Sequence, residues 1–221
     1  MKVVRKEERV ISVELDEDLR RKDRELALDN RRLLDRKGVT AIDVMGSVGS
    51  GKTSFLTQVA RRLKGKYRMV AIAGDLTTTI DAERITEAGM ETVQVNTGRM
   101  CHLDSIIVRK ALDEMNLGEV ELVFIENVGN LICPAGFPLG SHRRVVVISV
   151  TEGPYMVVKH PYMFLDADVV LLNKVDLAGA MGVDPAALER DVHRLKPGIA
   201  VIKTDCARGY GVDEAIEALG L

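Results

Sequence analysis

Long hydrophobic runs are missing from this 221-residue chain. No apolar stretch approaches the roughly 18–20 residues that cross a bilayer, and the charged start MKVVRKEERV is not followed by the apolar core of a secretory leader. Both absences predict a cytoplasmic protein with no membrane partner. Cysteine is scarce as well: Cys101, Cys133 and Cys206 are too few and too scattered for a disulfide framework. In a reducing compartment that leaves a buried thiol, a metal ligand or a nucleophile for each. Nor is there an excess of one charge. Lys plus Arg (31) nearly balance Asp plus Glu (33), and no block of like charge occurs, so the footprint of a nucleic-acid binder is absent. A nucleotide ligand stays compatible with this balance, because a loop of backbone N–H groups holds phosphate without a basic surface.

With 46% apolar residues there is material for one full core but little room for a second domain. Leu19, Leu26 and Leu33 recur at heptad spacing beside Ala27 and Leu34, which predicts a helix over 16–37 that stops at Gly38. Residues 1–37 are expected to form an N-terminal helical extension and 38–221 the main domain. In the latter, the apolar runs VTAIDVM, RMVAIAG, ETVQV, ELVFIEN, RVVVISV, ADVVLLN and IAVIK alternate with amphipathic stretches. Strands buried on both faces read as continuous runs, so the expected fold is α/β in three layers, a mostly parallel central sheet with helices on both faces. Helices are expected at 54–64, 81–88, 102–115, 185–195 and 212–219. One long irregular stretch, NVGNLICPAGFPLGSH, carries three glycines and two prolines and has the length of a functional loop.

The segment from Gly46 to Thr53, GSVGSGKT, matches the phosphate-binding pattern G-x-x-x-x-G-K-[ST] between a strand and a helix, so the fold is of the P-loop NTPase kind. Glycines admit positive φ and bring successive N–H groups to the phosphates. The expected nucleotide contacts are Gly46, Val48, Gly49, Ser50, Gly51, Lys52, Thr53 and Ser54. Lys52 spans the β and γ phosphates, and the Thr53 hydroxyl binds magnesium. Asn173-Lys174-Val175-Asp176 follows the strand ADVVLLN at the carboxyl edge of the sheet, where open α/β folds bind ligands. A carboxylate at Asp176 accepts from both N1–H and N2–H2 of guanine, a donor pair that adenine lacks.

These two motifs resemble the guanine-nucleotide-binding P-loop family. The resemblance implies that the stretch from Thr204 to Ala207 touches the base through its main chain, with Cys206 contributing N–H and not sulfur. Asp75 and Glu126 end two strands near the phosphate site, where magnesium seeks oxygen ligands. Glu126-Asn127-Val128-Gly129 stands where better-known members carry DxxG, with the Gly129 N–H directed at the γ-phosphate. Lys52, Thr53, Asp75, Glu126 and Gly129 form the expected catalytic set. Neither an arginine finger nor a water-positioning glutamine is evident, which predicts slow, switch-like turnover.

Cys101, His102 and Cys133 border this site. Thiolate and imidazole suit zinc or nickel and not magnesium, although the spacing leaves a packed thiol and a structural histidine equally open. ENVGNLICP, CHLD after NTG, AGD followed by DAER, and ISVTEG are similar to the hydrogenase maturation GTPases called HypB, from about Val39 onward. The resemblance implies that Cys101, His102 and Cys133 bind nickel or zinc, often at the interface of a homodimer that forms with GTP. Water, His142, His160 or a second subunit would complete the shell. It further implies GTP/GDP and magnesium as cofactors, and the hydrogenase large subunit with accessory maturation proteins as partners. Residues 1–37 hold no Cys or His, so the N-terminal nickel-storing tract of some relatives is expected to be absent. Competing expectations are a urease accessory GTPase, a metal-storage protein with a vestigial nucleotide site, and an ATP-dependent small-molecule kinase.

Overall fold

The computed structural model describes residues 15–75, 77–98, 102–130 and 136–221, with side chains from residue 21 onward. Its strands are β1 (Thr40–Gly46), β2 (Met69–Asp75), β3 (Glu91–Asn96), β4 (Leu122–Glu126), β5 (Arg143–Ser149), β6 (Val169–Asn173) and β7 (Ala200–Lys203). The described helices are α1 (Leu15–Lys37), α2 (Lys52–Leu63), α3 (Ile80–Glu87), α4 (Ser105–Asp113), α5 (Met156–Lys159), α6 (Tyr162–Leu165), α7 (Ala178–Met181), α8 (Pro185–Leu195) and α9 (Val212–Ala218).

The strands lie in the order β3-β2-β4-β1-β5-β6-β7, and every neighbouring pair is parallel. Parallel neighbours require crossovers, which put helices on both faces. Successive side chains of each strand therefore enter opposite layers. Ile42, Val44, Phe124, Val147 and Leu171 meet Phe55, Leu56 and Val59 of α2 and Val212 and Ile216 of α9. On the other face, Ala41, Ile72, Val123 and Ile125 meet Leu34 of α1 and Val108 and Leu112 of α4. Further along that face, Met45, Val146, Ile148 and Leu172 meet α5, α6 and α8. Each large apolar side chain removed from water in this way contributes about 1.5–3 kcal/mol.

Register brings the functional strand ends to one edge. Val44 and Ala73 both lie opposite Glu126, Gly46 opposite Val147, and Ser149 opposite Asn173. The order reverses at β1, with β4 on one side and β5 on the other, so the crevice after β1 is the switch point of the sheet.

The helix expected over 102–115 begins instead at Ser105. Asp104 takes an extended conformation and its carboxylate accepts from Ile107 N, while Asp23 of α1 accepts from Ser105 N at 3.0 Å. Two carboxylates thus cap the helix three residues later than periodicity indicated, and His102 lies ahead of it in irregular chain. The α1 helix is tied to this region a second time: the buried Asn30 amide donates to Ser105 O (2.9 Å) and Leu139 O (3.2 Å).

Candidate nucleotide and metal site

A cavity of about 490 Å³ opens at the carboxyl edge over β1, lined by the phosphate loop, Asp75, Asp81, Arg84, the segment from Glu126 to Gly129, Asn173, Lys174, Asp205 and Ala207. Gly51 enters α2 with φ of +109°, and a Cβ there would stand 2.0 Å from Asn173 Nδ2. Only glycine satisfies both demands. No side chain caps α2, so its leading N–H groups face the cavity, as anion binding needs. Lys52 Nζ curls back onto Gly46 O (3.2 Å) and Ser47 O (3.0 Å), and burial holds its pKa below the usual lysine value against the pull of Glu126 and Asp81. A phosphate entering the loop offers that ammonium better acceptors than two carbonyls.

Glu126 is buried, and its Oε1 accepts from the Thr53 hydroxyl at 2.7 Å. Its Oε2 has no hydrogen-bond partner among the described residues. Burial pushes its carboxyl up to about 7, only partly opposed by Lys52 and Thr53. A buried hydroxyl and an under-coordinated carboxylate beside a phosphate loop make a donor set of hard oxygens that fits magnesium. Asp75 also lines the cavity, but its carboxylate is engaged at the end of β2, accepting from Thr77 N (3.0 Å), Thr78 N (3.2 Å) and Thr78 Oγ1 (3.1 Å). It holds the turn as well as facing the site. Asp81 and Arg84 of α3 belong to the DAER stretch that carries part of the resemblance, but were not expected in the site; both line the cavity. Arg84 lies 3.4 Å from both Asp81 Oδ1 and Ser54 Oγ.

On the base side, Asn173 does structural work. Its Nδ2 donates to Ser50 O (2.7 Å), while Oδ1 accepts from Cys206 N (2.9 Å) and Thr204 Oγ1 (3.2 Å), latching the phosphate loop to the 204–207 turn. The Cys206 N–H is therefore spent inside the protein, its thiol is buried and pushed up to about 11, and Asp205 and Ala207 are the residues of that turn that line the cavity. Lys174 adopts φ of +61°, the one positive φ among described non-glycine residues, which turns the chain sharply after β6. Asp176 receives Arg208 Nη1 at 3.1 Å, and the same guanidinium reaches Asp205 at 3.0 Å. Arg208 is largely exposed, so yielding Asp176 to a base costs little.

Cys101 and Cys133 lie outside the described residues, and with them the assembly of the expected ligand set. His102 is described. Its ring stacks on Phe137 with centroids 4.0 Å apart, and burial lowers its pKa against the pull of Asp104 and Asp23, which favours the neutral imidazole that metals bind. His142 is unsuited as a further ligand. Its Nδ1 accepts from Ala41 N at 3.0 Å and its Nε2 bonds Asp35 at 2.9 Å, so both ring nitrogens are committed.

The loop between these sites touches both. A Cβ on Gly129 would come 2.6 Å from Val48 Cγ2 and 2.9 Å from Val48 Cα, so only glycine rests this closely on the phosphate loop. Asn130 pairs with Gly46 in an isolated antiparallel bridge. The side-chain oxygen Oδ1 of the buried Asn127 accepts from Leu103 N and Val128 N, each at 3.0 Å.

A family model described as the CobW/HypB/UreG nucleotide-binding domain matches residues 40–203. The chain belongs to that family. Within it the chain is of the HypB type, a hydrogenase maturation protein. It is 44% identical over 205 residues to the probable hydrogenase maturation factor HypB of Methanocaldococcus jannaschii, covering 93% of each chain. Among solved structures, HypB from Archaeoglobus fulgidus is similar with a TM-score of 0.84 and 38% identity, covering 90% of this chain and 97% of that one. HypB from Helicobacter pylori in complex with nickel gives a TM-score of 0.84 and 30% identity, covering 90% of this chain and 93% of that one. The three-layer P-loop fold is thereby shared with HypB, and this HypB-type chain is a nucleotide-hydrolysing enzyme. No described helix is long and apolar enough to cross a membrane.

Proposed function

We propose that this chain binds and slowly hydrolyses GTP, and that the GTPase cycle governs capture and release of nickel held by Cys101, His102 and Cys133 during maturation of nickel-iron hydrogenase. The observation that carries the proposal is one stretch of chain with two attachments. At its start Glu126 bonds Thr53 and Gly129 rests on Val48; at residue 137 its phenyl ring stacks on His102. A γ-phosphate acting on the first attachment shifts the second by a short backbone path, the logic of order-to-disorder switches. Guanine preference is supported by Asp176 behind β6 and by the Asn173 latch that aligns the 204–207 turn with the phosphate loop.

Magnesium, held by Thr53 and Glu126 with Asp75 nearby, would neutralise developing charge on the β and γ phosphates. The chain's own contribution is the Lys52 ammonium and the N–H groups of the phosphate loop and Gly129. The thiolates and imidazole take nickel or zinc, and a GTP-closed homodimer brings a second set of ligands to the same ion. Its partners are the hydrogenase large subunit and accessory maturation proteins.

Nickel and zinc titrations of the GDP and non-hydrolysable GTP-analogue forms test the reading, with light scattering on the same samples. Different nickel affinities and a doubled mass with the analogue are expected. Equal affinities in both forms overturn the coupling, and equal masses overturn the dimer.

A further inference from the structure

Two nucleotide-facing strand ends grip the residue next to His102. The Leu103 side chain covers Gly74, where an added Cβ would stand 2.9 Å from Leu103 Cγ and Cδ1, and Gly74 precedes Asp75 at the end of β2. The Leu103 N–H donates to Asn127 Oδ1 at 3.0 Å, and Asn127 follows Glu126 at the end of β4. Leu103 and Asn127 are both buried, so water is not at hand to replace that bond. The same Oδ1 accepts from Val128 N at 3.0 Å, and the Asn127 main-chain N–H donates to Val44 O at 3.0 Å, in the strand β1 that leads into the phosphate loop. Two residues on, Gly129 meets Val48.

We infer that Asn127 is a positioning residue that transmits the nucleotide state to His102 through its bond to the Leu103 N–H. The inference rests on the proposed nickel coupling and deepens it, because this path reaches His102 through the residue next to it in the chain. Asn127 touches neither ion nor phosphate in this scheme. Its oxygen ties two backbones together, so a shift at Val128 and Gly129 is passed to Leu103 instead of being absorbed by the loop. The Leu103 side chain is held against Gly74, which turns a displacement of the Leu103 backbone into a reorientation at His102.

The test compares nickel dissociation constants of full-length wild type and Asn127→Ala in their GDP and GTP-analogue forms, with a chromogenic chelator as competitor. Wild type is expected to show a ratio between the two forms that falls at least fivefold toward unity in the variant. A role confined to stability moves both constants together and keeps the ratio; that result overturns the inference while leaving the coupling intact. A wild-type ratio of one overturns both. Should Asn127→Ala fail to fold, amide hydrogen exchange at Leu103 in wild type decides. Protection that differs between the GDP and analogue forms supports the path, and equal protection overturns it.

Discussion

Glu126 offers the sharpest test of the site chemistry, because its proton is a direct report on what the cavity holds. Burial moves its carboxyl from 4.5 to about 7. That displacement disfavours the charged form by about 3 kcal/mol relative to water. Since the folded protein holds this proton more tightly than the unfolded chain, the protonated group contributes stability that is full below pH 4.5 and is lost as pH rises through about 7. A divalent cation beside Oε2 reverses the preference and expels the proton. Loading magnesium and nucleotide should therefore release roughly 0.9 proton from this group at pH 6, about half at pH 7 and roughly 0.1 at pH 8. Calorimetric titrations in buffers of different ionisation enthalpy measure the release, and Glu126→Gln subtracts protons that come from the nucleotide itself. The same variant, without nucleotide, should melt higher than wild type at pH 8 and no higher at pH 4.5. Proton release identical in wild type and Glu126→Gln at pH 6 would refute the assignment of Glu126 to the cation.

Replacing Cys133 by Ala should leave nucleotide affinity unchanged and weaken nickel by at least roughly 10–100-fold, the loss seen when even outer-shell ligand partners are removed; nickel titration that matches wild type would dismiss Cys133 as a ligand. Asp176→Asn should cost roughly 1.5–3 kcal/mol of guanine affinity, the worth of hydrogen bonds to a charged group. The new amide donor matches the O2 of xanthine, so competition between GTP and xanthosine triphosphate is expected to invert, and unchanged GTP preference would refute base reading at this position.

Local signals carried much of this protein. Continuous apolar runs announced strands buried on both faces, and the phosphate loop, the Asn-Lys-Val-Asp turn and the acid at the end of β4 were legible because each depends on a few adjacent residues in a strand-to-turn context. Those signals also misplaced the start of α4. Apolar periodicity continues back to His102, whereas the Asp23 and Asp104 carboxylates begin the helix at Ser105, and Asp23 belongs to α1, 82 residues away.

Sequence by itself determined that the chain would form a phosphate-binding α/β fold, because alternation of buried strands and amphipathic helices and the geometry of a glycine-rich turn are properties of short segments. Only tertiary structure decided which polar atoms meet. Glu126 finds Thr53 across 73 residues, Asn173 spends its amide on Ser50 across 123, and Asn127 holds Leu103 across 24. Those pairings follow from strand order and register. A parallel sheet brings carboxyl ends together whatever their separation along the chain, and the energy that selects partners there is the desolvation of buried donors and acceptors, which no local pattern encodes.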